Sequence, residues 1–170
     1  MENFFRPQDL NRDGKLTKED SDQMREMMAK GRNVALAVKP GAQGELGESA
    51  VAWKQTRGLP YVPSPLHYQG RVYLLKDGGM VSCFDAKTGK VFYQQERLNA
   101  PGTYYASPVA ADGRVYVASL NGRVTVFAAG GDAPKILHQA EFGERIAATP
   151  ALVENKIYLR TPTALFAFGR

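Results

Sequence analysis

Six residues between positions 9 and 20 carry the oxygen chemistry of a calcium loop. The stretch reads Asp9-Leu10-Asn11-Arg12-Asp13-Gly14-Lys15-Leu16-Thr17-Lys18-Glu19-Asp20. It fits the pattern D-x-[DN]-x-[DN]-G closed by an acidic twelfth residue. Calcium is a hard cation that takes about six to eight oxygens. Asp9, Asn11 and Asp13 offer side-chain oxygens from loop positions one, three and five. Lys15 offers its main-chain carbonyl at position seven, Thr17 can hold a water at nine, and Asp20 closes the loop at twelve. Gly14 permits the sharp turn at position six, and Leu16 is the apolar residue that pairs with a partner loop where there is one. No partner loop follows, and Asp20 is one methylene shorter than the usual Glu. Both departures set the expected calcium affinity at micromolar or weaker. The plain alternative is an Asx-rich turn that holds no ion.

Such a loop needs helices to hold it. On the exit side, Thr17 is an N-cap with Asp20 three residues on, and Gly31 is a natural C-cap. Met24, Met27 and Met28 recur at i, i+3 and i+4 and make one apolar stripe. On the entry side only Asn3 to Phe5 could be helical, and Pro7 sits close to the loop.

The remainder of the chain is repetitive. Ser64-Pro65 recurs as Ser107-Pro108 and Thr149-Pro150, at steps of 43 and 42 residues. After each pair comes a turn and an apolar strand: Gly70-Arg71-Val72-Tyr73-Leu74, Gly113-Arg114-Val115-Tyr116-Val117 and Asn155-Lys156-Ile157-Tyr158-Leu159. Third strands follow at Met80 to Asp85, Arg123 to Ala128 and Leu165 to Phe168, and fourth strands at Lys90 to Gln94 and Lys135 to Gln139. Asp77-Gly78-Gly79 and Asn121-Gly122 fall where hairpins are needed, and Asp85 with Gly89 suits an Asx turn. Four short strands in about 42 residues, repeated, predict the blades of a β-propeller; a sandwich would not impose one period. The fold class is therefore all-β, a partial β-propeller of four-stranded antiparallel blades, preceded by a short EF-hand-like loop and helix. Residues 1–33 form the calcium module. Residues 34–170 hold a partial blade (34–56), two blades (about 57–99 and 100–142) and a second partial blade (143–170). Val34 to Lys39 and Ala50 to Gln55 read as the third and fourth strands of the first of these.

The Ser-Pro starts, the Gly-Arg-Val-Tyr strand and the run Cys83-Phe84-Asp85-Ala86-Lys87-Thr88-Gly89-Lys90-Val91 resemble the PQQ-like (pyrroloquinoline-quinone-like) β-propeller repeat, BamB-type. The resemblance covers about residues 34 to 170. In that family the position three after the lysine is usually Trp; here it is Trp53, Tyr93 and His138 in successive units. The resemblance implies a bacterial protein of the periplasm or the extracellular space. It does not import the quinone. The catalytic Asp, calcium ligands and aromatic floor of quinoprotein dehydrogenases cannot be placed here residue by residue, so PQQ is not expected.

Other residues that could do chemistry have simpler uses. His67 lies near a turn, and His138 takes the repeat position of Trp53 and Tyr93, so both are expected to be structural. Cys83 aligns with Val126 and Phe168 and is expected to be a buried small hydrophobe. Arg57, Arg97, Arg114, Arg145 and Arg160 could favour an anionic partner, but solvated turn charge explains them too. Tyr61, Tyr104 and Tyr105 are expected to pack against neighbouring blades.

Composition limits the rest. Lys and Arg number 22 against 17 Asp and Glu, a net charge of +5 with no long basic run, so nucleic acid is not an expected partner. There is one cysteine, hence no internal disulfide framework. There is no run of about 18 apolar residues to span a membrane, and Met1 to Phe5 lack a signal-peptide core. A ring usually needs at least four blades. The expected partners are accordingly upstream blades, another protein, or a second copy meeting open blade edges. The reading is a non-catalytic scaffold or binding module with a structural calcium. Two alternatives stay open: a fragment of a quinoprotein-type or other propeller enzyme whose active site lies in other blades, and an envelope protein-assembly factor.

Overall fold

A computed structural model of the chain describes residues 14–15, 17–30, 33–41 and 43–169. The chain divides into two compact units, Met1–Val34 and Ala35–Arg170. In the first, helix α1 (Lys18–Lys30) begins directly after Thr17, as the cap predicts. Asp9, Asn11, Asp13, Leu16 and Gly31 lie outside the described residues, as do the side chains of Met24, Met27 and Met28.

The second unit is a row of antiparallel meanders. β1 (Ala35–Val38) pairs with β2 (Val51–Gln55). Strands β3 (Leu66–Tyr68), β4 (Arg71–Lys76), β5 (Met80–Asp85) and β6 (Val91–Arg97) form a four-stranded sheet in chain order. So do β7 (Val109–Ala111), β8 (Arg114–Ala118), β9 (Arg123–Ala128) and β10 (Ile136–Glu141). The last sheet has three strands, β11 (Ala151–Val153), β12 (Lys156–Arg160) and β13 (Leu165–Gly169). The last three sheets follow Ser64-Pro65, Ser107-Pro108 and Thr149-Pro150 in turn, and the β1–β2 pair precedes them. One 3₁₀ turn, Glu48–Ala50, shortens the predicted second strand at its start.

Turn chemistry repeats with the strands. The hairpins at Gln69-Gly70, Asp112-Gly113 and Glu154-Asn155 each have two residues at positive φ. That is the backbone twist a two-residue hairpin requires. The next hairpin is set by contact rather than by φ alone. A Cβ on Gly79 would lie 2.3 Å from the Ala100 carbonyl oxygen, and one on Gly122 would lie 2.2 Å from that of Glu144. The connection leaving each sheet therefore lies directly on its own β-hairpin, and only glycine admits it. In the last sheet Thr161 closes the equivalent turn instead, accepting at Oγ1 from the Ala164 N–H at 3.1 Å.

Alternation sends successive side chains to opposite neighbours. Tyr73, Leu75, Val81, Cys83 and Tyr93 face the next sheet and meet Val115, Val117 and Phe127 in the largest core cluster. Leu74 and Phe84 face backward with Leu59. Ala118 and Val124 meet Ile146 and Leu159 of the last sheet, flanked by Phe142, Ile157 and Phe166. Each full sheet is apolar on both faces because each is sandwiched. Register corrects one alignment. Tyr73 pairs with Cys83, Tyr116 with Val126 and Tyr158 with Ala167. Cys83 thus corresponds to Ala167, not Phe168, because the Thr161–Ala164 turn shifts the last strand by one residue.

The Ser/Thr-Pro signature has a structural cause. The Ser64 N–H donates to Ser107 Oγ at 2.9 Å, and the Ser107 N–H donates to Thr149 Oγ1 at 3.0 Å. Each sheet's entry is tied to the next by one hydroxyl, and this fixes both the residue type and the period.

Candidate functional site

The predicted calcium loop is partly in view. Gly14 has φ +80, the left-handed geometry expected at loop position six. Lys15 is exposed. Thr17 and Asp20 are brought together: Asp20 Oδ2 accepts from the Thr17 N–H at 2.9 Å and from Thr17 Oγ1 at 2.8 Å. This is the reciprocal arm of a capping box, with a carboxylate in the first helical turn, where it also suits the helix dipole. Asp20 is 2% exposed, so its bonds to Thr17 are shielded from water. The other side-chain ligand positions, Asp9, Asn11 and Asp13, lie outside the described residues. Among the described residues no group of three or more His, Cys, Asp or Glu gathers.

The one thiol and three of the tyrosine hydroxyls are placed in the core of the second unit. Cys83 is fully buried, with Arg71 Nη1 3.8 Å from its sulfur. Burial pushes its thiol above the ordinary value, and Arg71 opposes that only in part. A buried, protonated thiol packs; it does not attack. Tyr93 sits beside it, its hydroxyl buried without a hydrogen-bond partner among the described residues. Desolvation raises Tyr93 strongly, and it raises Tyr73 as well. Trp53, the repeat counterpart of Tyr93, donates Nε1–H to the Ala86 carbonyl at 3.0 Å and stacks on Phe84 at 6.4 Å. Asp85 holds that turn, accepting from the N–H groups of Lys87 and Thr88 and from the Thr88 hydroxyl. The bonds from Thr88, the main chain before the side chain, hold its carboxyl below the usual range.

Two expectations of packing do not hold. His138 is exposed, although Trp53 at the equivalent position is docked. Trp53 rests on the turn after β5. His67 is also exposed. The tyrosines before the Ser-Pro pairs divide. Tyr104 packs, 1% exposed, with its hydroxyl donating to the Ala100 carbonyl at 2.7 Å, and burial pushes it up to about 12. Tyr61 is 79% exposed and Tyr105 47%, with Val62 exposed as well. Val62 and Tyr105 occupy equivalent positions flanking the Ser64–Ser107 bond, so the apolar groups form a row along the connections. Further along, Arg145 and Arg160 line a shallow cavity of about 310 Å³ with Ala147 and Ala148. Of the five arginines, these two alone are brought to one cavity among the described residues. Sequence reading missed this row, since the tyrosines look identical in the repeat.

The architecture and the exposed row can now be set against known proteins. A family model described as outer membrane protein assembly factor BamB matches residues 28–161. No curated protein matches. Among solved structures, BamB from Moraxella catarrhalis superposes with a TM-score of 0.56 at 21% identity, over 71% of this chain and 38% of that one. The computationally designed protein Ika4 superposes with a TM-score of 0.57 at 11% identity, over 70% of this chain and 72% of that one. Both likenesses are of fold. The chain spans 38% of the length of the Moraxella protein that it resembles.

Proposed function

The chain belongs to the family of the outer membrane protein assembly factor BamB, and from that premise we propose that it is a non-catalytic binding module of the bacterial envelope, engaging a protein partner. One observation carries the reading: the exposed apolar row Tyr61, Val62 and Tyr105 lies along the sheet connections, while the Cys83 thiol and the Tyr73, Tyr93 and Tyr104 side chains are committed to packing. Exposed aromatic groups at the rim of a rigid scaffold are the usual anchors of protein interfaces. A photo-crosslinking residue at Tyr105, in cells, is expected to capture an outer-membrane protein or its assembly machinery. Crosslinks confined to unrelated proteins overturn the reading. The rival is a quinoprotein-type enzyme, which quinone-dependent dye reduction by the protein would establish.

The N-terminal loop adds a proposed structural calcium, held by Asp9, Asn11, Asp13, the Lys15 carbonyl, Thr17 and Asp20. The left-handed Gly14 and the pairing of Thr17 with Asp20 support it. Asp20's commitment to the helix cap favours weak affinity. Scanning calorimetry is expected to show a higher melting temperature in millimolar calcium than in chelator, and no difference for Asp13→Ala. An unchanged melting temperature and no heat of binding remove the ion from the proposal.

A further inference from the structure

The thiol of Cys83 sits in a polar seam of the junction between the β3–β6 and β7–β10 sheets. Register lines up Tyr73, Cys83 and Tyr93 across β4, β5 and β6, so the three side chains leave one face of the sheet. They pack with Val115, Val117 and Phe127 of the next sheet. Cys83 is 0% exposed and Tyr93 5%. Tyr73 has a partner, since its Oη accepts from the Gly130 N–H at 2.8 Å. Tyr93 has none among the described residues: its hydroxyl is aimed at the Cys83 sulfur, a weak acceptor, and makes no hydrogen bond. Arg71 Nη1 stands 3.8 Å from the same sulfur and donates to the Gly131 carbonyl at 2.7 Å, with the guanidinium 3.6 Å over the Phe92 ring.

A hydroxyl stranded in a core has lost its water and found nothing in exchange, so parting the two sheets rehydrates it and lowers the cost of opening. The parting is also local. No strand ladder crosses this junction, because each sheet pairs only within itself. Its rim is held by three bonds between side chains of one sheet and the main chain of the next: Tyr68 with the Gly113 N–H, Tyr73 with the Gly130 N–H and Arg71 with the Gly131 carbonyl. Releasing them leaves every strand pair intact. Opening then changes the thiol. Burial holds it protonated in the closed junction; in water that cause is gone, and Arg71 on the adjacent strand favours the thiolate.

We infer that Cys83 is a cryptic modification site for small disulfides, and that its modification locks this junction open. In the opened junction Cys83 gives its proton to water and the thiolate attacks one sulfur of the disulfide. The new S–S bond forms as the old one breaks, and the other half departs as a thiolate. The product is a mixed disulfide at Cys83. With one cysteine in the 170 residues, no internal thiol displaces it. A side chain enlarged in this way does not fit where the cysteine has no exposed surface, so the sheets do not close over it. A small thiol reverses the step. The device stands apart from the binding-module reading and holds or fails without it.

The probe is dithiobis(nitrobenzoate), an aromatic disulfide whose leaving thiolate is coloured, applied to the 170-residue chain. Hydrogen exchange at the Gly113 and Gly130 amides, which donate to the rim tyrosines, is followed in parallel. Labelling is expected at least about tenfold faster than global unfolding supplies, with a rate nearly flat in low denaturant because little surface is exposed on opening. The labelled protein is expected to lose exchange protection at Gly113 and Gly130 while the amides paired between β4 and β5 keep theirs, and a small thiol is expected to restore both. Tyr93→Phe, which removes the stranded hydroxyl, is expected to slow labelling about tenfold. Tyr68→Phe, which removes one rim bond, is expected to speed it about fivefold. Labelling that tracks global unfolding at every denaturant concentration overturns the inference. So does an adduct that leaves both rim amides protected, or Tyr93→Phe labelled as fast as the parent.

Discussion

The junction between the β3–β6 and β7–β10 sheets and the junction between β7–β10 and β11–β13 use one plan with different fillings. The first buries Tyr73, Val81, Leu98, Tyr104 and Phe127 almost completely. Three polar clamps close its rim, from Tyr68, Arg71 and Tyr73. The second has a smaller buried cluster and leans on aromatic edge contacts, Phe142 against Phe166 at 5.3 Å and against Phe168 at 5.8 Å. Its rim is open. A repeated backbone therefore does not guarantee a repeated interface: Tyr68 reaches the Gly113 N–H across the first junction, and Ala111, which stands in its place, is too short to reach across the second.

That contrast can be broken or sharpened. The largest effect is expected from Phe127→Ala in the sealed junction, which leaves a cavity and costs about 3–5 kcal/mol. Phe166→Ala in the open one, already partly exposed, costs about half as much; chemical denaturation of both variants checks the ratio. Next, Gly122→Ala drives a Cβ into the Glu144 carbonyl at a positive φ and is expected to cost about 2–4 kcal/mol by the same assay. Alkaline pH should also strike the sealed junction first. Tyr73, Cys83, Tyr93 and Tyr104 are all raised there by burial. Their stabilisation is complete below the unfolded-state values. For Tyr104 it is lost as pH rises from 10.0 towards about 12. Melting temperatures between neutral pH and that window test it, and Tyr104→Phe should blunt the fall. The smallest effect runs the other way. Ala111→Tyr, able to accept from the Asn155 N–H as Tyr68 does from Gly113, is expected to raise stability by about 1 kcal/mol.

Much of the scaffold was legible in the residues. The Ser64, Ser107 and Thr149 steps located the last three sheets, since a hydroxyl bonded across the two junctions between them must recur at blade spacing. The Thr17–Asp20 cap was equally plain, because a capping box is a local, sequence-near device. Exposure was not legible. Tyr61 and Tyr104 are equivalent in the repeat, yet Tyr104 packs under the β4–β5 hairpin at Gly79, and among the described residues Tyr61 has no such hairpin to meet. Periodicity tells what a position is built for; the neighbouring sheet determines whether it is used. The gap at Ala111 could have been suspected from the first strands, where Leu66-His67-Tyr68 aligns with Val109-Ala110-Ala111, but a bulky residue missing from a strand end has no meaning until the bond that Tyr68 makes across its junction is seen.

The hydroxyl tie between sheets has a direction: each entry gives its amide to the oxygen of the repeat downstream, never the reverse. An array wired this way tolerates tandem copying. An in-frame duplication of one repeat inserts a sheet that brings its own acceptor and finds a waiting donor, so no amide is stranded. A deletion out of phase with the period does strand one. Gene-level recombination can thus lengthen or shorten such a protein in whole-repeat increments at little cost.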